Sequence, residues 1–257
     1  AALRHARALG DRRSETSLLF LHCSVCWYGP LPLDEGLARC EAVLADATQR
    51  LNVEAAALQA LAVLRALNGE FDTARELVGS SRAITRELGQ LVSVAASAID
   101  EGIVELLAGD FAAAERVLRE GYAALELLGE KGYFSTLATL MAESVAAQGR
   151  IAEARELARA AAAAATADDV VSQVGWRTTE ARALAAEGAS VEAERVAREA
   201  TALAEATDFS LLRAGAWSAL ADVLGDRGAE ARRTAIRVLE DKGCATAAIE
   251  VWTRSGA

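Results

Sequence analysis

Apolar residues along this chain fall at helical spacing. Ala74, Leu77, Val78, Ser81, Ile84 and Leu88 trace one stripe, and Ala114, Val117, Leu118, Tyr122, Leu125 and Leu128 trace another. Positions i, i+3, i+4 and i+7 lie on one face of an α-helix, so each segment predicts a helix with one buried face. Glycines cut the segments at intervals of about 15 to 20 residues. Helix ends are expected at Gly10, Gly29, Gly69, Gly89, Gly109, Gly129, Gly149, Gly188, Gly225 and Gly243, because glycine suits the left-handed residue that closes a helix.

The punctuation has a period. Gly69-Glu-Phe71-Asp-Thr-Ala74 returns as Gly109-Asp-Phe111-Ala-Ala-Ala114, as Gly149-Arg-Ile151-Ala-Glu-Ala154, and as Gly188-Ala-Ser190-Val-Glu-Ala193. These glycines are 40, 40 and 39 residues apart. A fixed period of this size marks a stacked array of one supersecondary unit. Aligned on the glycine, small residues recur at three more places. Ala62, Gly102, Ala142 and Ala181 stand seven before it; Ala74, Ala114, Ala154 and Ala193 five after; Ser81, Gly121, Ala161 and Ala200 twelve after. Small side chains there let two antiparallel helices approach closely. Phe71, Phe111 and Ile151 are expected to fill the gap between units.

These features resemble the tetratricopeptide repeat, clearly over residues 50 to 207 and by extrapolation at the ends. That family has a small residue in the first helix, Gly-x-aromatic at the turn, and alanines in the second helix. The unit here is longer than the usual repeat and lacks its closing proline. The resemblance implies a right-handed α-solenoid of about six antiparallel helix pairs. It places residues 1–257 in one superhelical domain, with the first helix of each pair lining a concave groove. Gly29 continues the period backwards: Trp27-Tyr-Gly29-Pro30-Leu-Pro32-Leu-Asp-Glu-Gly36 is the same turn with two extra residues.

Composition agrees with an all-α protein. Hydrophobic residues make up 53% of the 257, enough for a sizeable core, and only Pro30 and Pro32 force a break. Net charge is −10, and Lys131 and Lys242 are the only lysines. An acidic balance argues against nucleic acid and anionic lipid as partners, and points to proteins or small molecules. Cys23, Cys26, Cys40 and Cys244 are too few and too scattered for a secreted disulfide scaffold, so a cytoplasmic protein with reduced thiols is expected. No apolar run reaches membrane-spanning length. The chain opens without Met, in what reads as the second half of a helix pair, and is expected to be a piece of a longer bacterial protein.

Candidate chemistry is sparse. His22, Cys23, Cys26 and Cys40 could gather as soft metal ligands, but the repeat assigns His22 and Cys40 to packing positions, and the expectation is no metal and no cofactor. Gly129-Glu-Lys131-Gly132 lacks the residue order of a phosphate loop and reads as a turn. Asp168-Asp169 reads as the cap of a helix. With two histidines, His5 and His22, no acid–base or nucleophilic set can be assembled, and the chain is not expected to be an enzyme. The groove positions are the better candidates for partner binding: Gln59, Thr139, Glu143, Thr178 and Arg182, with Gln173, Trp176 and Arg177 beside them. Around Ala96, Ile99 and Ile103 the groove is apolar.

Four segments resemble a more particular group: Trp27 to Cys40, Gly129 to Leu137, Asp168 to Arg177 and Glu205 to Phe209. They are similar to the C-terminal repeat region of actinobacterial signalling proteins. Those join a class III nucleotide cyclase or a DNA-binding regulator to an AAA/STAND-type ATPase and a tetratricopeptide tail. No cyclase carboxylates or Walker motif occur here, so no catalytic residue carries over. The resemblance implies a regulatory protein–protein interaction module acting on a linked ATPase and output domain, with a protein or peptide partner, including the parent chain's own N-terminal domains. The alternative is a sensor that encloses a small ligand. A pocket of several hundred Å³ in the concave face would favour the sensor, and an open groove the scaffold.

Overall fold

The structure is a computed structural model that describes residues 2–47 and 50–253. Among these residues it is all helical, without strands. Six antiparallel pairs follow one another. The first is α2 (Arg12–Tyr28) with α3 (Leu33–Asp46), then α4 (Leu51–Leu67) with α5 (Phe71–Glu87). The third pairs a divided helix, α6 (Leu91–Ala96) and α7 (Ala98–Ala108), with α8 (Phe111–Leu128). Next come α9 (Phe134–Ala147) with α10 (Ile151–Ala164), α11 (Val170–Ala186) with α12 (Ser190–Glu205), and α13 (Ser210–Leu224) with α14 (Ala229–Lys242). Short helices α1 (Ala2–Leu9) and α15 (Thr246–Trp252) flank the array. The all-α solenoid expected from the repeat is the fold observed.

The two helices of a pair have different jobs. Twelve of the seventeen residues of α4 are buried, against four of seventeen in α5. First helices from α4 onward form an inner layer, whereas α2, at the edge of the array, buries only four of its seventeen residues. Second helices bury one stripe and turn the other to water, as their periodicity predicts.

Every small residue at the three aligned positions is buried. Gly121 shows why. A Cβ there would lie 2.4 Å from Ala98 Cβ and 2.9 Å from the Ala95 carbonyl, so α8 presses on backbone of the facing helix. That facing helix is the divided one. Ser97 interrupts it, its N–H donating to the Ser93 carbonyl and its hydroxyl to the Val94 carbonyl. Ser81, at the same aligned position as Gly121, donates its hydroxyl across the pair to the Ala55 carbonyl at 2.9 Å.

Nine of the ten punctuating glycines have positive φ. Gly29 departs, with φ −78° and ψ −177°. Pro30 follows it, and a residue before proline is pushed to extended backbone. His22 also departs from expectation. It is half-exposed rather than packed in the core, while Cys23 and Cys26 face α3. A Cβ on Gly36 would lie 3.1 Å from the Cys26 carbonyl, so α3 presses closely on α2 at Cys26.

The array curls until its ends meet. Tyr28 of α2 and Phe209, just before α13, bring their rings to 5.5 Å. The Ser210 hydroxyl donates to the Gly29 carbonyl at 3.4 Å. Lys242, at the end of α14 and 1% exposed, donates to the carbonyls of Cys26, Gly29 and Leu31 at 3.3, 2.8 and 3.1 Å. The chain then turns through Gly243, and the Ala245 N–H donates to the Leu67 carbonyl at 2.8 Å. From there α15 runs against α7, α13 and α14. The chain's last helix thus packs on the inner helix that carries Ile99 and Ile103.

Candidate functional site

Closure converts the expected groove into an interior. Inner helices from both ends of the chain surround a cavity of ≈ 100 Å³. Trp27 and Tyr28 close one side, their rings stacked at 3.5 Å. Ile103, Leu140, Val174 and Leu211 supply apolar wall, and the polar groups converge from α9 and α11. This is smaller than the several hundred Å³ of a drug-sized site, and its mouth stays open to solvent.

Four of the residues singled out from the sequence meet here: Thr139, Glu143, Thr178 and Arg182 all line the cavity. They are one or two helical turns apart on two adjacent inner helices, so a shared face brings them together. Thr139 is 6% exposed, and its hydroxyl has no hydrogen-bond partner among the described residues. Gly175 makes room for it: a Cβ on that glycine would lie 2.1 Å from Thr139 Cγ2. Thr178 turns its hydroxyl to the Gly175 carbonyl at 2.7 Å. Arg182 donates Nε to Asp222 at 2.9 Å, and Asp222 in turn accepts from Arg232 at 2.8 Å. Arg232 also reaches the Thr253 carbonyl beyond α15, so one polar chain runs from the cavity wall to the last helix. Glu143 has no ion pair among the described residues, and burial pushes its carboxyl above the usual range, against the pull of Arg182.

The other four do not line it. Gln59 is half-buried on α4. Gln173, Trp176 and Arg177 contact one another: Gln173 Oε1 accepts from Trp176 Nε1 at 3.2 Å and from Arg177 at 2.6 Å, the guanidinium lies 4.1 Å over the indole, and Arg177 Nε is left without a hydrogen-bond partner among the described residues. Arg177 leans towards Glu199 of α12 at 3.8 Å, away from the interior.

Residues not singled out complete the site. Trp27 and Tyr28 come from the end of α2, and Leu211 and Ala216 from α13. Their part depends on closure, which no local pattern announces. Asp100 stands one turn before Ile103, and burial raises its carboxyl to about 7. The charges of Asp100 and Asp169 add to burial in holding the Tyr28 phenol protonated.

Cys23, Cys26 and Cys40 gather in the first pair, all buried and reduced. Contact with the Cys23 and Cys26 thiols pushes the Cys40 thiol up, and Cys40 pushes Cys26 down. Among the described residues no three histidines, cysteines or carboxylates are placed to hold a metal ion. Gly129 to Gly132 is a turn between α8 and α9, and Asp169 caps α11 by accepting from the Ser172 N–H at 3.1 Å. No described helix is long and apolar enough to cross a membrane.

No family model matches the chain, and no curated protein matches it. Among solved structures it is similar to the nearly identical TPR-like repeats of a putative kinesin light chain from Podosopora anserina. Identity is 22% and TM-score 0.46, over 77% of this chain and 95% of that one. A form of that protein with a single substitution gives 22% and 0.47, over 77% and 94%. Likeness at this level says nothing of what the chain binds.

Proposed function

We propose that this chain is a non-enzymatic regulatory module that binds a small effector inside a closed α-solenoid and passes the signal to a linked ATPase and cyclase or transcription-regulator output. The observation that carries the reading is closure. Lys242 ties α14 to the Gly29 turn, and the space left inside is apolar with a few polar groups aimed into it. Its lining has the make-up of a ligand site, while its ≈ 100 Å³ falls short of the several hundred expected and limits the ligand to a small one. The polar chain from Arg182 through Asp222 and Arg232 to Thr253 gives the cavity a route to α15.

Val171 lines the cavity and is half-buried, so V171W fills the space from its rim. A small-molecule thermal-shift screen run on wild type and V171W tests the reading. Hits that raise the wild-type melting temperature and leave V171W unmoved support it. Hits that act equally on both variants place binding elsewhere and overturn it.

A protein partner remains a second reading on different ground. Phe20, Leu21 and Val25 on α2 are 48, 56 and 54% exposed, an apolar strip that a domain of the parent chain could cover. Binding of the parent's N-terminal part to wild type, lost in F20D/V25D, is the corresponding outcome.

A further inference from the structure

The inner cavity has a charge imbalance that narrows its ligand. Its polar lining consists of three threonines (Thr136, Thr139 and Thr178), Tyr28, Glu143 and Arg182. Arg182 is the only cation among the described residues of this wall, and Asp222 takes up its charge at 2.9 Å. Glu143 has no such partner within salt-bridge distance among the described residues. Glu143 is half-buried; an ionised carboxylate partly shielded from water without a counter-charge is costly, and a ligand that supplies the charge removes the cost.

Two further observations point the same way. The Thr139 hydroxyl is buried, unpaired among the described residues and one turn from Glu143 on α9, so an acceptor is available beside the carboxylate. Trp27 and Tyr28 present a stacked aromatic pair to the cavity, and aromatic faces attract cations. The remaining wall is aliphatic: Ile103, Leu140, Val174 and Leu211. An anionic ligand would find Arg182 already paired and Glu143 repelling it.

We infer that the cavity takes a small organic cation, an ammonium group on a compact apolar body, with its charge against Glu143, an N–H donated to Thr139 and its hydrocarbon against the aliphatic wall. The inference rests on the effector-cavity reading above and adds the chemistry of the ligand. Size follows from volume. A cavity of ≈ 100 Å³ is somewhat smaller than the roughly 150 Å³ that holds benzene, so the body is about four to seven heavy atoms.

The test uses three nearly isosteric probes: isoamylamine, isoamyl alcohol and isovaleric acid. Each is titrated calorimetrically into wild type, E143Q, T139V and V171W at neutral pH, with melting temperatures recorded with and without probe. The amine should bind wild type at least tenfold more tightly than the alcohol, with the acid weakest. E143Q should lose that preference while still binding the alcohol, and T139V should lose a few-fold for the amine alone. V171W should bind none of the three. Without probe, E143Q should melt at or above wild type, because it removes a half-buried carboxylate that has no ion pair among the described residues. Gain in the empty protein and loss in amine binding have opposite signs, which separates recognition from folding. If the three probes bind alike, or the acid binds best, while V171W abolishes binding, the effector cavity stands and the cation assignment falls. If the amine leaves wild type and V171W equally unmoved at millimolar concentration, the cation assignment fails together with the cavity as its site.

Discussion

Two glycines in the outer helices carry opposite predictions. Gly121 sits where any Cβ strikes Ala98 and the Ala95 carbonyl, both fixed by the inner helix. G121A should cost about 1–2 kcal/mol, overpacking of up to about 3 offset by the better helix propensity of alanine. Gly79 is in the middle of α5, exposed, with nothing near its missing Cβ. G79A should stabilise by up to about 1 kcal/mol. Chemical denaturation of the two variants checks both signs. Asp100 makes a third prediction at this scale. Its folded-state value near 7 lies above the ordinary carboxylate value of about 3.9, so the native state binds the proton more tightly. The stability this contributes is complete below about pH 4 and is lost as pH rises through 7. Tyr28 stays protonated there, and Asp169 is held by the Ser135 hydroxyl at 2.8 Å. D100N should therefore melt close to wild type at pH 4 and gain steadily on it up to pH 8, by about 2–4 kcal/mol, discounted for the edge Asp100 leaves accessible. A melting-temperature difference that stays flat from pH 4 to 8 would contradict this.

At the scale of helices, the pairs were legible in the sequence and their junctions less so. The 40-residue glycine period located the turns, because a positive φ is a local demand that glycine meets best. Alanines at fixed offsets located the close contacts for the same local reason. The break at Ser97 was not legible, since it goes with the approach of Gly121 from the facing helix. Nor was the half-exposure of His22, where Cys23 and Cys26 take the buried positions of α2 instead. Of the candidate site residues, Thr139, Glu143, Thr178 and Arg182 could be grouped by spacing along α9 and α11. Trp27, Tyr28 and Leu211 could not, because they join the site only through contacts between distant helices. The latch between α14 and the Gly29 turn is the most exposed of these contacts to test. Lys242 donates to three carbonyls, and burial already pulls its amine below the usual value. K242M keeps the apolar stem and removes the donors, leaving carbonyls unpaired. It should cost about 3 kcal/mol and raise hydrogen exchange in α14 and α15 well above that in α9 and α10.

For the whole molecule, the proposed effector role rests on the curl of the array and on the cavity of ≈ 100 Å³ that its inner helices leave. Curvature accumulates over six pairs, and small differences per pair decide between an open superhelix and a closed one. That sum is invisible to any window of sequence, which is why an open groove was the natural expectation. Closure is the claim on which the cavity, the latch and the effector reading all depend. Small-angle X-ray scattering of the isolated chain tests it most directly. A closed, compact array of this length should give a radius of gyration of about 18 Å and a symmetric distance distribution. A radius several ångströms larger, with a long tail in the distribution, would show an open superhelix and contradict the account.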